Sequence, residues 1–148
     1  MKPYIAIDPG ASGGIAVISE SGLLTVHSMP DDLTELWDLP TAANYTVVIE
    51  DVPKFVFGGH NRGSTMAVLH YNYGWLMGHF QARGYPVVKV RPAEWQKTIG
   101  IGKKGTLSTS DWKGKLKQEA SRRWPSVKCT LKNSDALLLL SHAMQANL

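Results

Sequence analysis

A short polar turn between two apolar runs constrains the fold of this chain most strongly. Residues 4–7 and 15–18 are apolar at every position and rich in β-branched side chains, and the turn between them contains Asp8, Pro9 and three glycines. Two such runs joined by a turn of this composition predict a β-hairpin. Because the first run is apolar throughout, we expect it to be a strand that is covered on both faces.

Asp8 ends that first strand, at the point where the chain leaves the predicted core. An ionised carboxylate in such a place is costly unless a cation meets it, and the glycines that follow allow a charged ligand to come close. We therefore expect Asp8 to be the first ligand of a metal site. The alternative is an Asx turn, in which the side chain accepts hydrogen bonds from the backbone after Pro9.

The length and composition favour one ordinary domain. A chain of 148 residues is typical of a single domain, so we expect residues 1–148 to form one. The one cysteine, Cys129, excludes an internal disulfide and is typical of a reducing compartment. The sequence starts directly with a strand and has no apolar run of about 20 residues. Together these features predict a cytoplasmic protein that does not enter a membrane.

The charge is distributed unevenly along the chain. The formal net charge is +4, but residues 89–132 carry twelve basic and three acidic side chains, whereas residues 1–88 carry four basic and eight acidic ones. A basic segment on a near-neutral body is typical of a surface that binds a polyanion such as nucleic acid. The alternative is a lysine-rich face that is only solvated.

The rest of the chain alternates strand and helix patterns, which predicts an α/β fold with parallel connections. Further strands are expected at 23–28, 45–52 and 85–91, and helices at 31–39, 64–83, 108–124 and from 133 onward. A short helix is also expected to start at 92–97 and to be broken by Gly100 and Gly102. The last helix is apolar nearly all round, which predicts burial against the sheet. Gly74, Gly78 and Ala82 form a stripe on the helix at 64–83, which indicates close packing by another element or by a second copy of the chain.

Three acidic residues lie at the ends of apolar segments: Asp8 and Glu50 end strands, and Asp135 opens the last helix. If the strands are neighbours and the helix packs across them, the carboxylates converge, and they repel one another unless a cation joins them. Oxygen ligands of this kind favour Mg²⁺, with Mn²⁺ as a substitute. In a simpler interpretation, Glu50 is an exposed strand end and Asp135 stabilises the start of its helix.

In this order the motifs resemble those of the RuvC-like Holliday junction resolvases, which are ribonuclease H-like nucleases, and above all the small phage and bacterial members. The matching segments cover nearly the whole chain, at 5–10, 47–50, 90–97, 113–125 and 135–138. The resemblance implies a ribonuclease H-like mixed β-sheet flanked by helices on both faces. It also implies a homodimer that nicks four-way junction DNA with Mg²⁺, in the host cytoplasm if the protein is encoded by a phage.

The resemblance assigns roles to individual residues. Asp8, Glu50 and Asp135 match the metal-binding acids, and Lys113 matches a catalytic basic residue near the scissile phosphate, with Lys115 as the second choice. The candidate DNA-binding residues are aromatic or basic: Phe55, Phe57, Arg62, Lys97, Lys103, Lys104, Lys115, Lys117 and Lys132. The two phenylalanines could stack on bases at the junction centre, or they could be core residues. The basic residues could contact phosphates or be solvated.

Lys132 departs from the family pattern, because many relatives carry an acid or a histidine three residues before the last aspartate. A protonated lysine cannot bind a metal, so the number of metal ions stays open, and Lys132 could instead neutralise phosphate charge. Asp51 could assist, although strand alternation directs it to the opposite face from Glu50. His142, about two helical turns after Asp135, is expected to be a core or supporting histidine.

Three other functions are compatible with these residues. The first is another ribonuclease H-like nuclease, acting on flaps, RNA or RNA–DNA hybrids. The second is a junction-binding module without catalysis, which Lys132 makes plausible. The third is a kinase of the actin-like ATPase type, whose nucleotide-binding turn also has an Asp followed by glycines, but the chain is too short for that paired-domain fold.

Overall fold

The computed structural model describes residues 1–40, 44–53 and 63–148. These residues form a five-stranded sheet with helices on both faces. The strands are β1 (Tyr4–Asp8), β2 (Gly14–Ile18), β3 (Leu24–Ser28), β4 (Thr46–Glu50) and β5 (Val87–Val90). The helices are a 3-10 helix (Leu33–Asp38) and α1 (Gly63–Ala82), α2 (Pro92–Ile99), α3 (Thr109–Arg123) and α4 (Ser134–Ala146).

The sheet is mixed, as predicted, and its strand order is β3-β2-β1-β4-β5. The first three strands form antiparallel hairpins, and β1 then pairs in parallel with β4, which pairs in parallel with β5. The turn between β1 and β2 is closed by a 2.8 Å hydrogen bond from the Gly13 amide to the Gly10 carbonyl oxygen. The predicted hairpin is therefore confirmed.

Strand β1 lies in the middle of the sheet and is buried on both faces. Ile5 and Ile7 belong to one apolar cluster, which includes Leu76 and Phe80 of α1. Tyr4 and Ala6 belong to a second cluster on the other face, which is built from α2, α3 and α4. This arrangement explains why β1 has no polar face, because both of its sides meet helices.

The helices differ from their predicted bounds in small ways. The segment predicted as a helix at 31–39 is a 3-10 helix capped by the Asp32 side chain, which accepts a hydrogen bond from the Thr34 amide. Helix α2 starts at Pro92 and stops at Gly100, as predicted, and the φ of 76° at Gly100 is in the left-handed region that favours glycine. Within the described residues, no helix combines the length and the apolar character needed to cross a membrane.

The small-residue stripe of α1 faces away from the described part of the chain. A Cβ added to Gly74 or to Gly78 would meet no described atom within 4 Å. Among the described elements, no helix or strand therefore packs closely there. The prediction that another helix or strand of the same chain covers this stripe is therefore wrong for the described helices and strands.

His142 lies in the core, as expected. Its side chain is buried, and neither ring nitrogen has a hydrogen-bond partner among the described residues. Burial lowers the pKa of His142, while the carboxylate of Glu94 acts in the opposite direction. The imidazole is therefore held in its neutral form.

Candidate active site

Asp8 and Glu50 lie side by side at one edge of the sheet. Parallel pairing aligns Ile7 with Ile49, so the two acids follow in register at the carboxyl ends of neighbouring strands. Alternation along each strand places both acids on the face that packs against α4, because Ala6 and Val48 belong to that cluster. The sequence pattern predicted this position for both residues.

Asp135 reaches the same edge from the first turn of α4, which packs on β1, β2 and β4. Gly14 makes this approach possible. It pairs with Asp8 across the hairpin, and a Cβ on it would lie 2.8 Å from the Lys132 carbonyl oxygen and 3.1 Å from the Asn133 Cα. Since real Cβ atoms do not approach that closely, a glycine is needed to seat the start of α4 beside Asp8.

The segment before α4 is held by the side chain of Asn133. Its Oδ1 accepts a 2.7 Å hydrogen bond from the Thr130 amide, and its Nδ2 donates to the Lys128 carbonyl oxygen at 3.2 Å. These two bonds fix the turn that leads into Asp135. The side chain of Lys132 is exposed in the same turn.

The ammonium of Lys113 lies among the acids. Its Nζ donates a 2.7 Å hydrogen bond to Asp135 Oδ2, which also makes an ion pair from α3 to α4. Burial acts to lower the pKa of Lys113, but the charges of Asp135, Asp8 and Glu50 outweigh it, and the pKa is raised. Lys113 therefore stays charged and partly neutralises the three carboxylates.

The carboxyl groups of Asp8 and Glu50 resist ionisation at this edge despite the nearby charge of Lys113. Burial raises the pKa of Asp8 to about 6, and the charge of Asp135 adds to the shift, while the Gly10 amide, which donates to Asp8 Oδ1 at 3.1 Å, opposes it. Burial raises the pKa of Glu50 to about 8, and the charges of Asp8 and Asp135 contribute to the shift. The three acids therefore interact electrostatically, as expected for converging carboxylates.

Glu50 has a dedicated hydrogen-bond donor. The indole Nε1 of Trp95, in α2, donates to Glu50 Oε2 at 2.7 Å, and the Trp95 side chain is 1% exposed. This bond lowers the pKa of Glu50 against the larger effect of burial. Trp95 lies within the segment 90–97 that resembles the family, but the sequence assigns it no role.

Asp8 and Glu50 open onto a cleft of about 470 Å³. Its walls are the glycine-rich turn after β1, the first turns of α1 and the side chain of Lys113. Asp8, Glu50, Ser12 and Thr65 are among the residues that line it. A phosphate group or a segment of nucleic-acid backbone can therefore reach the acids from solvent.

The carboxylate oxygens of Asp8, Glu50 and Asp135 are ligands that suit a hard divalent cation, but their arrangement is not that of a formed metal site. No group of three or more histidine, cysteine, aspartate or glutamate side chains in the described ranges is arranged to hold a metal ion. The ammonium of Lys113 is paired with an oxygen of Asp135 in this arrangement. Burial and the neighbouring acids nevertheless raise the pKa values of Asp8 and Glu50, and a cation bound beside them would favour their ionised forms.

Asp51 lies outside this group, as strand alternation predicts. It accepts a 2.8 Å hydrogen bond from the hydroxyl group of Tyr73, on the α1 side of the sheet. The preceding residue of α1, Asn72, donates to the Pro9 carbonyl oxygen at 3.3 Å. Two consecutive residues of α1 thus hold the segments that follow Asp8 and Glu50, which sequence reasoning did not identify.

Apart from Lys132, which is exposed before α4, the predicted DNA-binding lysines fall in two groups. Lys97, Lys103 and Lys104 line a groove of about 610 Å³ at the carboxyl end of α2. Lys115 and Lys117 are exposed on α3, two and four residues beyond Lys113. Phe55, Phe57 and Arg62 lie outside the described residues, so their predicted contacts with DNA stay predictions.

Comparisons with known proteins identify the fold. The sequence matches no family model, and the search of curated proteins found no match. Among solved structures, the chain is similar to Thermus thermophilus RuvC in complex with a Holliday junction substrate, with a TM-score of 0.57 and 13% identity over 99% of this chain and 96% of that one. A second Thermus thermophilus RuvC structure has a TM-score of 0.54 and 15% identity over 98% of this chain and 96% of that one. The chain therefore has the ribonuclease H-like fold of RuvC.

Proposed function

We propose that this protein is a metal-dependent endonuclease that resolves four-way DNA junctions by paired nicking. One observation carries the proposal: Asp8 and Glu50 lie in register at the ends of neighbouring parallel strands, and both are electrostatically coupled to Asp135 beside an open cleft. The shared fold supports it, because one of the similar RuvC structures holds a Holliday junction substrate.

Asp8, Glu50 and Asp135 are the residues that would hold Mg²⁺ or Mn²⁺. A divalent cation held there supplies positive charge to the reacting phosphate and makes water a better nucleophile at neutral pH. The chain itself concentrates the carboxylates, orients Asp8 through the Gly10 amide and orients Glu50 through Trp95. These fixed hydrogen bonds keep the acids in place before the substrate arrives.

Lys113 has a part in the proposed reaction. Its side chain is 39% exposed and lines the cleft. From this position the ammonium would bind a non-bridging oxygen of the scissile phosphate and stabilise its negative charge. This supports Lys113 over Lys115, which is exposed and is not among the residues that line the cleft.

The remaining basic residues are proposed to hold the DNA backbone. Lys97, Lys103 and Lys104 line one groove, and Lys115, Lys117 and Lys132 present exposed side chains on α3 and before α4. Lysines that neutralise phosphates release counterions, so junction binding should weaken steeply as the salt concentration rises. A lysine-rich face that is only solvated would give a much weaker dependence.

A homodimer is part of the proposal, because paired nicks across one junction need two active sites. The open stripe of Gly74, Gly78 and Ala82 on α1 is the candidate contact surface, since no described atom packs on its glycines. Tyr71, one turn before the stripe, is 67% exposed. Sedimentation of the full chain tests this element separately from catalysis.

The test replaces each of two aspartates, in separate variants, with asparagine. Asp8→Asn should reduce Mg²⁺-dependent nicking of a four-way junction by at least ~100-fold while junction binding survives, because it removes a carboxylate that a metal needs. Asp51→Asn is the matched control, since its side chain bonds Tyr73 on the other face and an amide still accepts that bond. Normal nicking by Asp8→Asn would refute the proposal. If the wild-type protein cleaves flaps or RNA–DNA hybrids faster than four-way junctions, one of those is the substrate instead.

A junction-binding module without catalysis is the second candidate, and one observation favours it. Lys113 pairs directly with Asp135, and no cluster of three or more histidine, cysteine or acidic side chains in the described residues is arranged to hold a metal ion. Mg²⁺-dependent nicking by the purified protein excludes this candidate. Tight junction binding without any nicking in Mg²⁺ or Mn²⁺ would establish it instead.

A further inference from the structure

Trp95 makes a contact that packing alone does not require. Its indole nitrogen carries one hydrogen and cannot accept a hydrogen bond, so its polar capacity is fully used by Glu50 Oε2 at 2.7 Å. The ring is 1% exposed, so no solvent competes for that hydrogen. An apolar residue of similar size would fill the same space without directing the carboxylate.

The rigidity of this donor comes from the core. Trp95 belongs to the apolar cluster that also contains Leu116 of α3 and Leu138 of α4, and α2 packs directly on α4. Helix α2 starts at Pro92, whose fixed φ suits the first turn of a helix. Trp95 therefore lies in the first turn of α2, a few residues after β5 ends. The donor to Glu50 and the residue Asp135 are thus carried by helices packed together in one core.

We propose that Trp95 is a positioning residue that sets the metal affinity of this site by holding Glu50 Oε2, so that Glu50 Oε1 is presented to the cation. The proposal rests on the proposed function, because it assumes that Glu50 is a metal ligand. Residues that bond to metal ligands fix their orientation, and losing one typically weakens metal binding ~10- to 100-fold.

Trp95→Phe removes the N–H and keeps an aromatic ring in the core. The matched control is Trp124→Phe, because the indole of Trp124 also donates hydrogen bonds inside the protein, to the Leu137 carbonyl oxygen at 3.1 Å and to Ser141 Oγ at 3.0 Å. Both changes remove one buried indole N–H and part of one ring. If packing is the whole role of Trp95, the two variants lose stability but not metal affinity.

The experiment measures Mn²⁺ binding to the full chain by calorimetry, together with thermal unfolding without metal. Trp95→Phe should raise the dissociation constant of Mn²⁺ ~10- to 100-fold, and Trp124→Phe should leave it within about two-fold of the wild type. In nicking assays, Trp95→Phe should need more Mn²⁺ for its half-maximal rate but reach a similar rate at saturation. Unchanged Mn²⁺ affinity in Trp95→Phe would overturn the inference and leave the proposed function intact.

A second measurement on the wild type covers the case in which Trp95→Phe fails to fold. The chain contains five tryptophans, and their indole N–H resonances can be followed by NMR as Mg²⁺ is added. The Trp95 resonance should shift the most and the Trp124 resonance should stay in place. A Trp95 resonance that does not respond to bound Mg²⁺ would overturn the inference, whereas a wild type that binds neither ion would overturn the proposed function as well.

Discussion

The ammonium of Lys113 donates a 2.7 Å hydrogen bond to Asp135 Oδ2, and this pair joins α3 to α4 at the edge where Asp8 and Glu50 end their strands. The protein thus carries its own cation where three carboxylates approach one another. Lys113 partly neutralises the acids, but the pKa values of Asp8 and Glu50 remain raised. A divalent cation would relieve the remaining repulsion and compete with Lys113 for Asp135.

Replacing Lys113 with methionine should therefore act in opposite directions on stability and metal binding. Without metal, the variant should lose ~1–2 kcal/mol of unfolding free energy, because Asp135 loses its partner, although the ammonium is 39% exposed and partly screened. Mn²⁺ should bind more tightly, because one competing positive charge is gone. Lys115→Met, exposed on the same helix, is the control for both measurements, and unchanged metal-free stability in Lys113→Met would contradict the role of the pair.

The metal-free protein should lose stability as the pH rises between about 7 and 8. Burial and the neighbouring acids raise the pKa of Glu50 from 4.5 to about 8, so the folded state holds a proton that the unfolded state has released in this range. Glu50→Gln removes that proton, so its unfolding temperature in a chelator should depend less on pH and exceed that of the wild type near pH 8. Equal slopes for the two proteins would show that the Glu50 pKa is not raised.

Gly14→Ala should displace the start of α4. The added Cβ would lie 2.8 Å from two carbonyl oxygens, those of His27 and Lys132, and both belong to backbone that cannot simply rotate away. We expect a lower unfolding temperature and weaker Mn²⁺ binding, because Asp135 moves with α4. Gly114→Ala is the control: nothing described lies within 4 Å of its Cβ, and alanine in that helix should stabilise by ~0.5–1 kcal/mol. Wild-type behaviour of Gly14→Ala would refute the close approach.

His142→Leu should remove an acid-sensitive element of the core. Burial lowers the pKa of His142, so the unfolded state takes up a proton that the folded state refuses, and wild-type stability falls as the pH drops below about 6.5. The stability gained by His142→Leu, measured by chemical unfolding, should therefore be larger at pH 5 than at pH 8. A gain that does not change with pH would mean that the histidine protonates equally in both states.

Much of the fold follows from local residue patterns. The apolar runs at 4–7 and 15–18 around a glycine-rich turn predict the first hairpin, and the apolar character of residues 4–7 predicts burial on both faces. The same reasoning placed Asp8 and Glu50 at strand ends, because an apolar strand that stops at an acid leaves the core there. Gly100 likewise predicts the end of α2, which stops there after Ile99.

The contacts that complete the site depend on strand order, which residue patterns did not supply. Trp95 meets Glu50 because β5 pairs with β4 and α2 follows β5 directly. Its spacing from Ile99 indicates an inward face, but it does not say which carboxylate the indole reaches. Likewise, Lys113 and Asp135 are 22 residues apart, and their ion pair exists because α3 and α4 pack together.

Whether Asp8, Glu50 and Asp135 share a metal ion can be determined with a crystal of the protein soaked in Mn²⁺ and measured at the manganese absorption edge. We predict anomalous density between Asp8, Glu50 and Asp135, with the Lys113 ammonium withdrawn from Asp135 Oδ2. An Asp8→Asn crystal treated in the same way should show weaker density or none. Absence of manganese from this edge in the wild type, with Lys113 still bound to Asp135, would contradict the account.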